Sequence, residues 1–178
     1  MSIYIPAVGA ENLLDIFEVQ CVFFEKGDYN IVVTGMVAQN IIETISVAFS
    51  VIKQMNIAGD IMNIVGLEER DYHIHFTNGA IIKEGTSAGL GIVFSILQAL
   101  YHSRKDHKFL VTGEIDLFGQ IHEVGGIDLK MKLMKMNRLD KFIFPRSNLS
   151  NKLDLSLNQF FPISTVKELV ESFFCDPN

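Results

Sequence analysis

Cysteine is nearly missing from this sequence, with Cys21 and Cys175 near opposite ends and no Cys-x-x-Cys spacing. That excludes a disulfide framework and a cysteine zinc site, and it points to a reducing, cytoplasmic setting. Positive charge is also short: 15 Lys and Arg stand against 21 Asp and Glu, a formal net charge of −6. A general nucleic-acid binder needs the opposite balance to neutralise phosphates. The basic residues of Lys130–Arg138 fit the solvated face of a helix better than a phosphate-binding patch. Long apolar runs are lacking too. The most apolar stretches are interrupted by Asn40, Glu43, Lys53 and Gln54 well before membrane-spanning length. No basic-then-apolar start marks a secretory signal. No repeat, low-complexity tract or Pro/Gly/Ser-rich linker divides residues 1–178, so one domain is expected. At 178 residues and 48% hydrophobic content, that domain can bury a core unaided.

What is present reads as a mixed α+β (α/β mixed) fold, with sheets packed against helices. Residues 14–24 and 29–34 are rich in β-branched and aromatic side chains, with Glu25-Lys26-Gly27-Asp28 between them. That pattern predicts a hairpin. Ile41, Ile42, Ile45, Ala48, Phe49, Ile52 and Met55 then recur at helical steps, predicting a helix over 37–55. A short alternating strand is expected at 71–76, and a helix from Ser87 to about Leu100. Lys108–Thr112 reads as a strand and 114–124 as a hairpin around Phe118-Gly119. A helix carrying Lys130 is expected after Gly125-Gly126, followed by a strand at 141–144 stopped by Pro145. A last helix spans 165–174, with Thr165 and Glu168 in capping-box register.

The loop 77–86, with its two glycines, delivers Ser87 to the first turn of a helix between Gly85-Thr86 and Ala88-Gly89. Amide N–H groups at a helix start and the positive end of the helix dipole favour an oxyanion. The small neighbours Gly85, Ala88 and Gly89 would let a substrate backbone come close. On the loop alone, the ordinary N-cap is the favoured reading of Ser87.

A nucleophilic serine needs a base, and no Ser-His-Asp arrangement presents itself. His73 and His75 alternate on one strand face, but two histidines do not complete a zinc site. A structural or supporting role suits them better than metal ligation, and a metal-dependent hydrolase is disfavoured accordingly. His102, His107 and His122 fall in loops or surface turns. Lys130 sits near the start of its helix among apolar residues. Desolvation there would lower its pKa and make a neutral amine available as a base. Composition alone leaves it a solvated helix lysine.

Taken together, these residues resemble the proteolytic domain of Lon peptidases. The family's Pro-Lys-Asp-Gly-Pro-Ser-Ala-Gly segment stands here as Ile82-Lys83-Glu84-Gly85-Thr86-Ser87-Ala88-Gly89. Its Thr-Gly-Glu-Ile strand end is Thr112-Gly113-Glu114-Ile115, and its Val-Gly-Gly segment leads here through Val124-Gly125-Gly126-Ile127-Asp128-Leu129 to Lys130. The alternating histidines His73 and His75, the segment Thr34-Gly35 and the strand Lys141–Pro145 match as well. The resemblance covers roughly residues 8–175. Three departures stand out: Glu84 replaces an aspartate, Thr86 replaces a proline, and Asp128 replaces the first of two lysines.

The resemblance implies a serine endopeptidase with Ser87 as nucleophile and Lys130 as base. It further implies that Thr112 orients the lysine, while Glu84 and Glu114 shape the site. For Glu114, a structural hairpin role is the competing reading. Protein or peptide substrates and a homo-oligomer, a six-membered ring, are implied too. No cofactor or metal is expected in the domain. ATP and Mg²⁺ enter only through an ATPase domain or partner, because no Gly-x-x-x-x-Gly-Lys-Ser/Thr loop occurs here. The chain is then either the C-terminal piece of a longer protein or a stand-alone peptidase acting with a partner or on unfolded chains. A catalytically silent oligomerisation or docking module of a larger ATPase is the alternative.

Overall fold

Alternation of apolar side chains along the strands gives the central sheet two buried faces. A computed structural model describes residues 2–8, 14–61, 64–78, 85–102, 107–149 and 158–175. The strands are β1 (Ser2–Val8), β2 (Leu14–Glu25), β3 (Ile31–Thr34), β4 (Arg70–Phe76), β5 (Lys108–Val111), β6 (Glu114–Ile115), β7 (Ile121–His122), β8 (Lys141–Pro145) and β9 (Phe160–Ile163). Seven form one sheet in the order β3-β4-β2-β1-β5-β8-β9, and β6 pairs with β7 in a separate ribbon. The sheet is mostly parallel. Only the β1–β2 and β2–β4 pairings are antiparallel.

Successive residues of a strand point to opposite faces, and the core divides accordingly. Ile3, Ile5, Val19, Ile74, Val111 and Ile143 join one cluster with the apolar residues of three helices, α1 (Gln39–Ala58), α2 (Gly89–Leu100) and α4 (Val166–Phe173). Their neighbours Tyr4, Leu110, Phe142 and Phe144 face the other way, against Leu133 and Met134 of α3 (Ile127–Met136). The result is a sheet between helical layers, as the mixed α/β expectation required.

The helices follow the sequence periodicity closely. Ile41, Ile45, Ala48, Phe49 and Ile52 form the buried stripe of α1, which ends on Gly59 in the left-handed conformation at φ 74°. By length and composition α1 could cross a membrane. Its apolar stripe is instead packed inside the core. From Leu90 to Leu97, α2 is buried on every side, the pattern of a central core helix. At α4, the Thr165 hydroxyl accepts from the Glu168 N–H at 3.1 Å, while Glu168 Oε2 accepts from the Ser164 N–H at 2.8 Å. The lysines and arginine of 132–138 are exposed on or just beyond α3, and Lys130 is buried.

The hairpin expected between 14–24 and 29–34 does not form. Both strands exist, but β4 lies between them, antiparallel to β2 and parallel to β3. The physical reason is Asp71. Its Oδ1 accepts from the Asp28 N–H at 3.0 Å, the Asn30 N–H at 2.9 Å and Asn30 Nδ2 at 3.2 Å. The turn therefore wraps around the start of β4 instead of closing a two-stranded ribbon. The strands β1 and β9 went unassigned from sequence, and each contains a proline. Pro162 lies on a strand paired only with β8, and Pro6 lies beyond the Ser2–Tyr4 stretch that meets β5. Strand edges tolerate a missing N–H donor.

Candidate active site

Ser87 lies in a 3₁₀ turn, Thr86–Ala88, that leads directly into α2. It caps neither element. The residues at the cap positions are Gly85 for the turn and Ala88 for α2, and no side chain closes either end. The ordinary N-cap reading of Ser87 is thereby set aside. Gly85 has φ 103°, a conformation that favours glycine, and a side chain there would meet none of the described residues. Gly85 therefore serves the bend that turns the chain toward Ser87.

The turn is tied to the segment after β5. The Ser87 carbonyl accepts from the Gly113 N–H at 2.9 Å and from the Thr112 hydroxyl at 3.3 Å. One residue on, the Glu114 carboxylate accepts from the Thr86 hydroxyl at 2.8 Å. Thr112 itself is held by its N–H to the Ile143 carbonyl at 3.0 Å, which anchors the segment to β8.

Lys130 enters from the opposite helical layer. It sits in the first turn of α3, with its N–H donating to the Gly126 carbonyl at 3.0 Å. Its side chain reaches the Thr112 hydroxyl at 3.0 Å. Thr112 Oγ1 thus accepts from Lys130 and donates to the Ser87 carbonyl, the one donor and one acceptor role that a hydroxyl supplies together. Ser87, Thr112 and Lys130 come together in this way, joined by the two hydrogen bonds of the Thr112 hydroxyl. Only 3% of Lys130 is exposed, and Thr112 is fully buried. Desolvation by burial pushes the lysine down from 10.5 to about 8. A buried ammonium loses hydration that a single neutral hydroxyl replaces incompletely.

Beside Ser87 and Ala88 lies an apolar hollow of about 20 Å³, walled by Ile5, Pro6, Ala7, Phe17, Ile41 and Phe76. Gly89 does not open the site to a substrate backbone, contrary to the sequence expectation. A side chain there would sit 2.9 Å from Ile115 Cγ1 and 3.3 Å from Thr44 Cγ2. The small residue is needed for packing between α2, α1 and β6. Glu84 lies outside the described residues. Glu114 is exposed and meets the site through Thr86.

His73 Nε2 and His75 Nδ1 both face the Thr34 hydroxyl, at 3.0 and 2.7 Å. Among the described residues no group of three or more His, Cys, Asp or Glu gathers as a metal site would require. His122 in β7 pairs with Asp116 at 2.9 Å, while His102 packs against Phe23 at 5.6 Å between ring centres. Sequence reasoning missed the clamp formed by the Gly113 N–H and the Thr86–Glu114 pair. The only signal was the adjacency of Gly113 and Glu114 to Thr112.

A half-buried serine tied through a threonine to a buried lysine, on a mixed sheet between helices, fits a serine peptidase. The profile of the Lon protease (S16) C-terminal proteolytic domain matches residues 7–173, and the chain belongs to that family. Family membership brings a serine-peptidase function with it. A Lon protease of Leptospira interrogans is 30% identical over 156 residues, covering 85% of this chain and 18% of the relative. A Lon protease of Aster yellows witches'-broom phytoplasma is 33% identical over 170 residues, covering 90% and 21%. Lon protease 2 of Borreliella burgdorferi is 31% identical over 153 residues, covering 85% and 19%. The chain thus spans about a fifth of the length of these curated relatives.

Proposed function

We propose that this domain hydrolyses peptide bonds through a Ser87–Lys130 dyad, as the proteolytic part of an ATP-dependent Lon or Lon-like protease. The observation that carries the reading is Lys130. It is a buried lysine with its pKa near 8, tied through Thr112 to the main chain of Ser87. At pH 8 about half of such a lysine is neutral, whereas an ordinary one is neutral in well under ~1% of molecules. The neutral Lys130 amine takes the Ser87 hydroxyl proton as Oγ bonds to the substrate carbonyl carbon and the C=O π pair moves onto oxygen. Collapse of the tetrahedral intermediate breaks the C–N bond, and the Lys130 ammonium returns the proton to the leaving amine. Water, deprotonated by the same amine, then attacks the acyl carbonyl, and as the ester C–O bond breaks the Lys130 ammonium returns that proton to Ser87 Oγ.

The Gly89 N–H donates to the Thr86 carbonyl and the Leu90 N–H to the Gly113 carbonyl. The oxyanion contact is therefore assigned to the Ser87 and Ala88 amides of the turn. Thr112 orients the lysine amine. Glu84 and Glu114 set the charge around the turn, and the apolar hollow receives a small apolar side chain of the substrate. The substrates are unfolded or delivered protein segments in the cytoplasm, without nucleic-acid or membrane partners. The domain works as a single unit in a homo-oligomeric, six-membered ring. It needs no cofactor of its own, and ATP and Mg²⁺ act in an ATPase domain or partner. The reading is tested with purified Ser87→Ala and Lys130→Ala on a peptide that the unmodified protein cleaves. Both variants should lose hydrolysis, and retention of full activity by either one overturns the dyad.

A further inference from the structure

We propose that Glu114 is a positioning residue that fixes the aim of Ser87 through the Thr86 hydroxyl; this rests on the reading of Ser87 as nucleophile. The Ser87 turn is held at its carbonyl by the Gly113 N–H at 2.9 Å, with the Thr112 hydroxyl at 3.3 Å on the same oxygen. These ties, with the Leu90 N–H on the Gly113 carbonyl at 2.9 Å, hold the turn on its α2 side and leave its upstream side to be fixed. Gly85 just upstream, at φ 103° and without a side chain, adds backbone freedom on that side. The second point of attachment is the Thr86 hydroxyl, which donates to Glu114 Oε2 at 2.8 Å.

The acceptor stands on a firm base. Glu114 opens the β6–β7 ribbon, paired with His122. The ribbon is bolted to the β9–α4 junction by the Ile121 N–H on the Ser164 carbonyl and the Val166 N–H on the Gly119 carbonyl, both at 2.9 Å. Inside its turn, Asp116 Oδ1 accepts from the N–H groups of Phe118 and Gln120, at 2.9 and 3.0 Å. A carboxylate on a rigid ribbon, reaching the residue before the nucleophile, determines the direction in which that nucleophile points. Thr86 and Glu114 are both exposed, so the pair contributes little to the core. A hydrogen bond to a charged acceptor is strong enough to order a short turn.

The test is a double-mutant cycle on the purified chain with a fluorogenic peptide that the unmodified protein cleaves. Labelling of Ser87 by a fluorophosphonate provides a second rate. Thr86→Val and Glu114→Ala should each lower kcat about five- to tenfold, with KM and the melting temperature nearly unchanged. The double variant should be no worse than the poorer single one, and Thr86→Ser should recover most of the loss. Thr86→Pro stiffens the first position of the turn, where proline is compatible. In that background Glu114→Ala should cost almost nothing. Additive losses in the Val/Ala cycle, a change confined to KM, or an equal Glu114→Ala loss in the Thr86→Pro background would each overturn the proposal. If Thr86→Pro fails to fold, the Val/Ala cycle alone decides. Hydrolysis that survives Ser87→Ala is a separate outcome, which removes the nucleophile assignment itself.

Discussion

Lys130 Nζ meets Thr112 Oγ1 at 3.0 Å in a site where the lysine is 3% exposed and the threonine is not exposed at all. The downward shift of the lysine comes from loss of hydration, with no charged neighbour among the described residues contributing. A neighbouring carboxylate would pull the pKa back up and keep the amine protonated at neutral pH. The polar contact described for Nζ is an uncharged hydroxyl, which orients the amine without restoring its charge. The same hydroxyl hydrogen-bonds the Ser87 carbonyl, so Lys130 and Ser87 are indexed to one atom.

The first expectation concerns pH. If the neutral form of Lys130 is the base, kcat/KM for a peptide rises as pH increases and levels off above about 8. Lys130→Arg supplies a guanidinium that stays protonated throughout. It should lie at least ~100-fold below the unmodified protein and lose the rising limb. A pH–rate profile of both proteins checks this. A limb that persists in Lys130→Arg would assign the titration to another group.

Thr112→Val keeps the shape of the side chain and removes the shared oxygen. The charged lysine loses its acceptor, so the rising limb should move to lower pH while kcat drops about tenfold from lost orientation. The Ser87 carbonyl retains the Gly113 N–H, so the turn itself should stay in place. Overlaid pH profiles of the variant and the unmodified protein give both quantities. An unchanged kcat would leave Thr112 a structural residue only.

How much of this could be read from sequence depended on the range of the interactions. The Ser87 turn was legible because its makers are neighbours, with Gly85 supplying the bend. The helix α1 was legible because it carries its own periodicity. The burial of Lys130 was legible only as one of two readings, since Lys132 and Lys135 on the same helix look alike in sequence. What distinguishes Lys130 is the docking of α3 over the sheet and the approach of Thr112 from the end of β5. The β2–β3 hairpin was misread for the same reason. Gly27-Asp28 is a good local turn signal, but a carboxylate 43 positions away, Asp71, takes the turn's amides. Gly89 was legible as small, but its cause lies in Ile115 and Thr44, on two other elements.

That packing gives a stability expectation. Gly89→Ala places a methyl 2.9 Å from Ile115 Cγ1 between buried elements. The backbone there is ordinary helix at φ −54°, so the substitution brings no conformational penalty and helix propensity favours alanine. The overlap should outweigh that gain and destabilise the protein by about 1–3 kcal/mol. Urea unfolding at fixed pH gives the value. A more stable variant would mean that Ile115 and β6 give way freely, contradicting their role as a firm base for Glu114.

The last expectation follows from the same lysine, with activity and stability set against each other. Holding Lys130 charged in the folded state is unfavourable below its folded pKa of about 8, because the unfolded chain would hydrate it. Between about 8 and the ordinary 10.5 the unfolded chain binds the extra proton, so the stability of the unmodified protein rises with pH across that window. Lys130→Met removes the charge while retaining much of the side-chain volume, at the cost of one hydrogen bond to Thr112. It should be inactive, yet more stable at pH 7 by up to about 3 kcal/mol. That advantage should shrink as pH rises from 8 toward 10.5, since the neutral lysine of the unmodified protein no longer opposes burial. Denaturant unfolding of both proteins at pH 7 and pH 10 measures the difference. A stability gap that stays constant with pH would show that desolvation does not set the state of Lys130, and the proposed source of its basicity would fail with it.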